Sequence, residues 1–166
     1  MKALLVFLGL LLPWMGSVIH GEDKAGPVVD KPHVLMRTGD IQWGTMPPGL
    51  SSGAQMGVLL GDPAQAGSNF VVRLKMPDGY RVMPHRHGIS ESITVLKGTL
   101  LVGHGDTFDP SLMEELTVGS FWHMPQGMHH YVRAQGETII QIHGVGPFDI
   151  TYLNPADDPR KKDDKK

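Results

Sequence analysis

The 166-residue chain contains no cysteine. Disulfides, thiolate metal ligands, a cysteine nucleophile and a lipid-bearing N-terminal cysteine are excluded together. The compartment is not decided by this, since reducing and oxidising spaces both tolerate such a chain. Excess charge of one sign is also missing: 15 Lys and Arg against 17 Asp and Glu leave a net charge of −2. Neither a basic patch nor an RNP-type aromatic cluster is present, so nucleic acid is not an expected partner. Long helices are hard to place among 21 Gly and 13 Pro, because Gly adds backbone entropy to the unfolded chain and Pro removes an amide donor. No apolar run reaches the roughly 20 residues of a comfortable membrane span.

The apolar run that does occur is at the N-terminus. Met1-Lys2 is followed by the uninterrupted stretch Ala3 to Leu12, then Pro13, Trp14 and the small residues Gly16-Ser17. A positive start, a short apolar core and a small-residue region read as a secretory signal peptide over residues 1–20, with no Ala-x-Ala to fix the cleavage point. The expected location is secreted or periplasmic, without stable membrane association once the signal is removed. Residues 21–32 are polar and turn-rich and read as a linker. Residues 157–166 (DDPRKKDDKK) carry no apolar side chain, so nothing offsets the entropy of ordering them and a solvated, disordered tail is expected.

What is abundant lies between, in residues 33–156. Short β-rich runs recur, separated by turn residues: Ile41 to Trp43, Gln55 to Leu60, Asn69 to Met76, Tyr80 to His87, Ser92 to Val102 (broken at Gly98), Ser120 to Met124, His129 to Ala134, Thr138 to His143, and Ile150 to Leu153. Turn signals about every ten residues point to an all-β sandwich or barrel. Ser111 to Leu116 reads as a helical turn or a loop.

The chemistry is concentrated in GYRVMPHRHGISESITVLKG, residues Gly79 to Gly98. His85 and His87 are two residues apart, and side chains of equal parity share one face of a strand. Glu91 follows four residues later. Two imidazoles and a carboxylate on one wall make half of a metal site. A second cluster, GSFWHMPQGMHHYV, offers His129 and His130; neighbouring strand residues point to opposite faces, so only one of them can join the first set.

The first stretch resembles the first cupin motif, matching it at Gly79, His85, His87, Glu91 and Gly98. The second resembles the second cupin motif through Gly119, Pro125, Gly127 and His130, departing from it where Ala134 replaces the family's usual Asn. That Asn is not one of the usual metal ligands. The resemblance implies a double-stranded β-helix, the cupin jelly-roll barrel. It selects His130 over His129 and gives the ligand set His85, His87, Glu91 and His130. It implies one divalent metal ion as cofactor, with Fe, Mn, Ni, Zn and Cu all open. Glu91 is read either as the fourth ligand or as a catalytic base released from the ion. A homodimer paired through the sheets is the assembly expected from the family.

Three further residues are candidates for the pocket: His123, Gln141 and His143. If Gln141 and His143 face inward they give the cavity hydrogen-bonding groups; the opposite parity turns Ile140 and Ile142 inward. Met83, Met124 and Met128 flank the ligands as apolar wall. Three imidazoles and one carboxylate leave a divalent complex with charge +1 and room for a small-molecule ligand or substrate. The first expectation is a small metalloenzyme of dioxygenase or isomerase type. The second is a metal-bearing module that holds a ligand and turns nothing over. An inward Gln141–His143 pair favours the enzyme, and an all-apolar wall favours the module.

Overall fold

The computed structural model describes residues 33–45 and 49–161. The signal, the linker and the end of the charged tail lie outside the described residues. Among the described residues nine strands form one curled antiparallel sheet, the jelly-roll barrel. They are β1 (Gly44–Thr45), β2 (Gln55–Leu60), β3 (Asn69–Met76), β4 (Arg81–Arg86), β5 (Glu91–His104), β6 (Glu114–Leu116), β7 (Phe121–Met124), β8 (His130–Val145) and β9 (Thr151–Tyr152). The stretch read as helical turn or loop is both a 3-10 turn, Pro110–Leu112, and the strand β6. At the start, Ile41 is buried in the core but the strand begins only at Gly44.

β8 organises the barrel. Along one edge its first half pairs with β4 and its second half with β3, while β5 runs antiparallel along nearly its whole other edge. β5 in turn pairs with β7 near its start and β6 near its end. Two strands were expected where β8 is one. Gly136 looks like a turn in the sequence, but its φ of +70° belongs to a bulge inside one continuous strand. Gly98 plays the matching part on β5, at φ +71°. The register between β5 and β8 shifts on either side of Lys97, and Lys97 Nζ lies 2.6 Å from Glu137 Oε1 across this bend. Both long strands therefore bend at one level, which lets a single sheet close on itself.

The core follows from strand alternation. Phe70, Val72, Leu74 and Met76 from β3 pack with Ile93 and Val95 from β5, and with Ile140 and Ile142 from β8. After the β5 bulge the inward set becomes Leu100 and Val102, so the parity of β5 changes along its length. Tyr80 and Tyr152 close one side, their hydroxyls donating to the carbonyls of Ser51 (2.7 Å) and Gly49 (2.8 Å). Burial raises the Tyr80 phenol to about 12 and raises Tyr152 as well, so both stay neutral donors.

The charged end differs from expectation as far as it is described. Asp157 closes a 3-10 turn and Pro159–Lys161 forms another. Asp158 is only 8% exposed, and the Arg160 guanidinium donates to both its carboxylate oxygens and to the Ile150 carbonyl. Composition reports apolar burial alone, whereas an ion pair and a backbone acceptor do the docking here. Removing residues 157–166 should lower the melting temperature by roughly 3 °C, measured by thermal denaturation; an unchanged value would show that these turns contribute nothing.

Candidate metal centre

A bulge in β4 sets the site. Val82 pairs with Val132 and His85 with His130, so β4 uses three steps where β8 uses two. The extra residue falls at Met83-Pro84, and Pro84 has no amide to contribute to the ladder there. Val82 and His85 consequently both face inward despite their opposite parity. His87 lies two residues beyond, just past the end of β4, and Glu91 opens β5. His130 opens β8, held beside His85 as its cross-strand partner.

These four side chains converge. The ligand atoms of His85, His87 and His130 lie within 4.8 Å of one another. Glu91 Oε1 is 3.4 Å from His87 Nε2 and 3.4 Å from His130 Nε2. All four residues are buried, with exposures of 3% for His85, 6% for His87, 3% for Glu91 and 2% for His130.

The backbone fixes which nitrogen faces the centre. His85 Nδ1–H donates to the Met83 carbonyl at 2.8 Å and His130 Nδ1–H to the Met128 carbonyl at 3.0 Å. His87 Nδ1–H donates to the Asp149 carbonyl. A carbonyl oxygen only accepts, so each Nδ1 must carry the proton. In the neutral ring that leaves every Nε2 lone pair free, and such anchoring to backbone oxygen is the usual support of a metal-bound imidazole. Burial, and the neighbouring His130 and His87, push the His85 pKa well below its ordinary value. Lone pairs and a carboxylate pointed at one another repel unless a cation lies among them. The donor set thus fits a divalent ion of imidazole- and carboxylate-preferring type.

This lowered pKa has a consequence for the metal-free protein. Unfolded imidazole takes up a proton near pH 6.5, whereas folded His85 resists it. The contribution of His85 to stability is therefore fully present above that value and is lost as pH drops below it toward the folded pKa. Melting temperatures of the metal-free protein between pH 7.5 and 5 should decline; a flat profile would mean His85 is not held neutral.

The walls are aromatic and apolar. The Phe148 ring stacks on His87 at 5.0 Å between centroids, and Trp122 meets His130 edge-on at 5.5 Å. Tyr152 lies 6.0 Å from His85. Met83 and Met128 pack partly buried against the core, and Met124 is buried within it. Trp122 could be placed at the mouth from sequence, but Phe148 and the three anchoring carbonyls could not; backbone acceptors leave no residue-type signal.

The remaining candidates face outward. His129 turns away from the centre, its Nδ1 2.7 Å from Asp106 Oδ1. His123 is exposed and bonded to Ser92 Oγ at 2.9 Å, because Trp122 and Met124 take the inward positions of β7. Gln141 and His143 contact each other at 2.9 Å on the outer face, where Arg73 Nε–H donates to Gln141 Oε1 at 3.0 Å. Ile140 and Ile142 occupy the wall instead. The pocket reading of His123, Gln141 and His143 is therefore corrected. Counted from His130 along one uninterrupted strand, even numbers face in; splitting the strand at Gly136 had lost that count.

Comparisons with known proteins agree on the fold. The polyketide cyclase RemF from Streptomyces resistomycificus superposes with a TM-score of 0.61 at 16% identity, over 80% of this chain and 94% of that one. A putative acetylacetone dioxygenase from Methylibium petroleiphilum PM1 gives 0.59 at 14% identity, over 78% and 86%. An RmlC-like cupin from Shewanella frigidimarina NCIMB 400 gives 0.52 at 16% identity, over 69% and 91%. The architecture is that of a cupin. No curated protein matches the chain. The model of the family described as "Domain of unknown function (DUF4437)" matches residues 34–165, and the chain belongs to that family.

Proposed function

We propose that His85, His87, Glu91 and His130 hold one divalent ion, and that the protein acts there on a small organic molecule, as an enzyme of dioxygenase or isomerase type. The observation that carries this reading is the tautomer lock: three buried imidazoles, each with Nδ1–H committed to a carbonyl, direct Nε2 at one point beside a carboxylate. Such an ion, when bound, supplies Lewis acidity or, for a redox metal, electron transfer to a ligand. The chain's own part is to orient those imidazoles, to lower the net charge through Glu91, and to keep water away with Trp122, Phe148 and the aliphatic wall. The reaction is not carried over from the cyclase or the dioxygenase, whose likeness is one of fold. The N-terminal run Ala3 to Leu12 supports a secreted or periplasmic location for this activity.

A second reading, a binding module without turnover, is favoured by one observation. Ile140 and Ile142, rather than Gln141 and His143, face the interior, so the wall brings few polar groups to the metal. Titration of metal-free protein with Mn, Fe, Co, Ni, Cu and Zn should reach one ion per chain. Dioxygen uptake or product formation from a metabolite library by any loaded form supports the enzyme. Retention of a ligand without turnover in every form supports the module, and no saturable ion binding at all would refute both.

A further inference from the structure

The mouth of the site is marked by a residue the ligand set does not use. Parity along β5 changes at the bulge near Lys97: Glu91, Ile93 and Val95 face inward before it, Leu100 and Val102 after it. His104, two residues past Val102, therefore shares the inward face. The residue before it confirms the direction. Gly103 pairs with Tyr131, and a Cβ built on it would stand 2.2 Å from that ring, which covers the outer face together with Phe108. His104 itself pairs across the sheet with the ligand His130, about 5 Å away between Cα atoms. Its ring meets Trp122 edge-on at 5.3 Å, and Trp122 meets His130 edge-on at 5.5 Å. Yet His104 is exposed, and its ring makes no hydrogen bond to another described residue, while neighbouring His129 is taken by Asp106. An inward-facing imidazole that is open to solvent, one strand from His130, stands where the barrel interior meets water.

We propose that His104 is a ligand-contacting residue at this mouth, donating a hydrogen bond to a small organic monoanion with oxygen donors that binds the ion beside Trp122. The class follows from charge and shape. Three neutral imidazoles and one carboxylate leave +1 on a divalent complex, which one negative charge neutralises. The polar end of such a ligand needs a donor, and Trp122 and the aliphatic wall offer none toward its body except the indole N–H. His104 supplies that donor from the side facing solvent.

The proposal rests on the metal reading above, and its test separates the two. The full chain is loaded with Co(II) and titrated with acetohydroxamate, a bidentate oxygen monoanion, followed by the visible spectrum of the metal. Wild type should bind it saturably. His104→Ala should weaken that affinity about tenfold, as loss of a hydrogen bond to a charged group does, with Co(II) content and melting temperature unchanged. His104→Gln, which keeps a donor, should recover affinity to within about threefold of wild type. Equal affinity in His104→Ala, or failure of wild type to bind the probe while holding Co(II), overturns the proposal. Failure of wild type to hold Co(II) overturns the metal reading and the proposal with it.

Discussion

Gly98→Ala should lower stability by about 3 kcal/mol or more, a large part of the 5–15 kcal/mol typical of a domain. Two costs add. Gly98 has a φ of +71°, a conformation in which a side chain is strained. A Cβ there would also lie 2.5 Å from the Glu137 carbonyl oxygen and 2.8 Å from Thr138 Oγ1. Neither neighbour can yield easily: the first is backbone, and Thr138 is fully buried with its hydroxyl donating to the Thr99 carbonyl at 3.0 Å. Gly79 supplies the control. Its φ is also +71°, but nothing lies within 4 Å of its Cβ position, so Gly79→Ala should cost only about 1 kcal/mol. Thermal and urea denaturation of both variants isolates the contact term. Equal losses would mean that the two bulged strands can separate at Gly98 without penalty.

His130→Ala should reduce metal affinity at least about 100-fold, beyond what loss of a supporting partner alone costs, while His129→Ala leaves metal content near wild type. The two residues are adjacent in sequence and have opposite surroundings. His130 is buried with its Nε2 3.4 Å from Glu91 Oε1, and His129 lies outside, paired with Asp106. His87→Ala should match His130→Ala, since both contact Glu91 at the same distance. Elemental analysis of the dialysed variants, with circular dichroism to confirm folding, measures this. Comparable loss in His129→Ala would show that the wrong neighbour was chosen.

Much of the site was legible because its grammar is local. His85, His87 and Glu91 sit within seven residues, and period-two alternation brings the two histidines to one face without knowledge of the fold. Selecting His130 over His129 came from the motif resemblance, and the structure turns His130 inward. The reason His85 faces inward was not legible: the bulge at Met83-Pro84, which aligns it with Val82, depends on the register with β8.

The misreadings on the two long strands share one cause. Gly136 and Gly98 were treated as strand breaks, whereas both are bulges inside long strands. Breaking β8 lost the parity count that places Gln141 and His143 outside. Ending the β5 strand at Val102 left His104 outside it, whereas the strand runs through His104. A positive-φ glycine serves a turn and a bulge equally well, and only pairing with a partner strand separates them. The Asp158–Arg160 docking escaped for a different reason. Its acceptor is the Ile150 carbonyl, and no pattern of residue types announces a backbone oxygen.

X-ray absorption at the metal edge, on protein purified from its native compartment and holding whatever ion it acquired there, tests the central claim most directly. One ion per chain, with a scattering pattern of three imidazole nitrogens and a carboxylate oxygen, is the predicted result, and the imidazole signal should weaken in His130→Ala. An ion surrounded by water oxygens alone, or protein that takes up no ion at all, would contradict it.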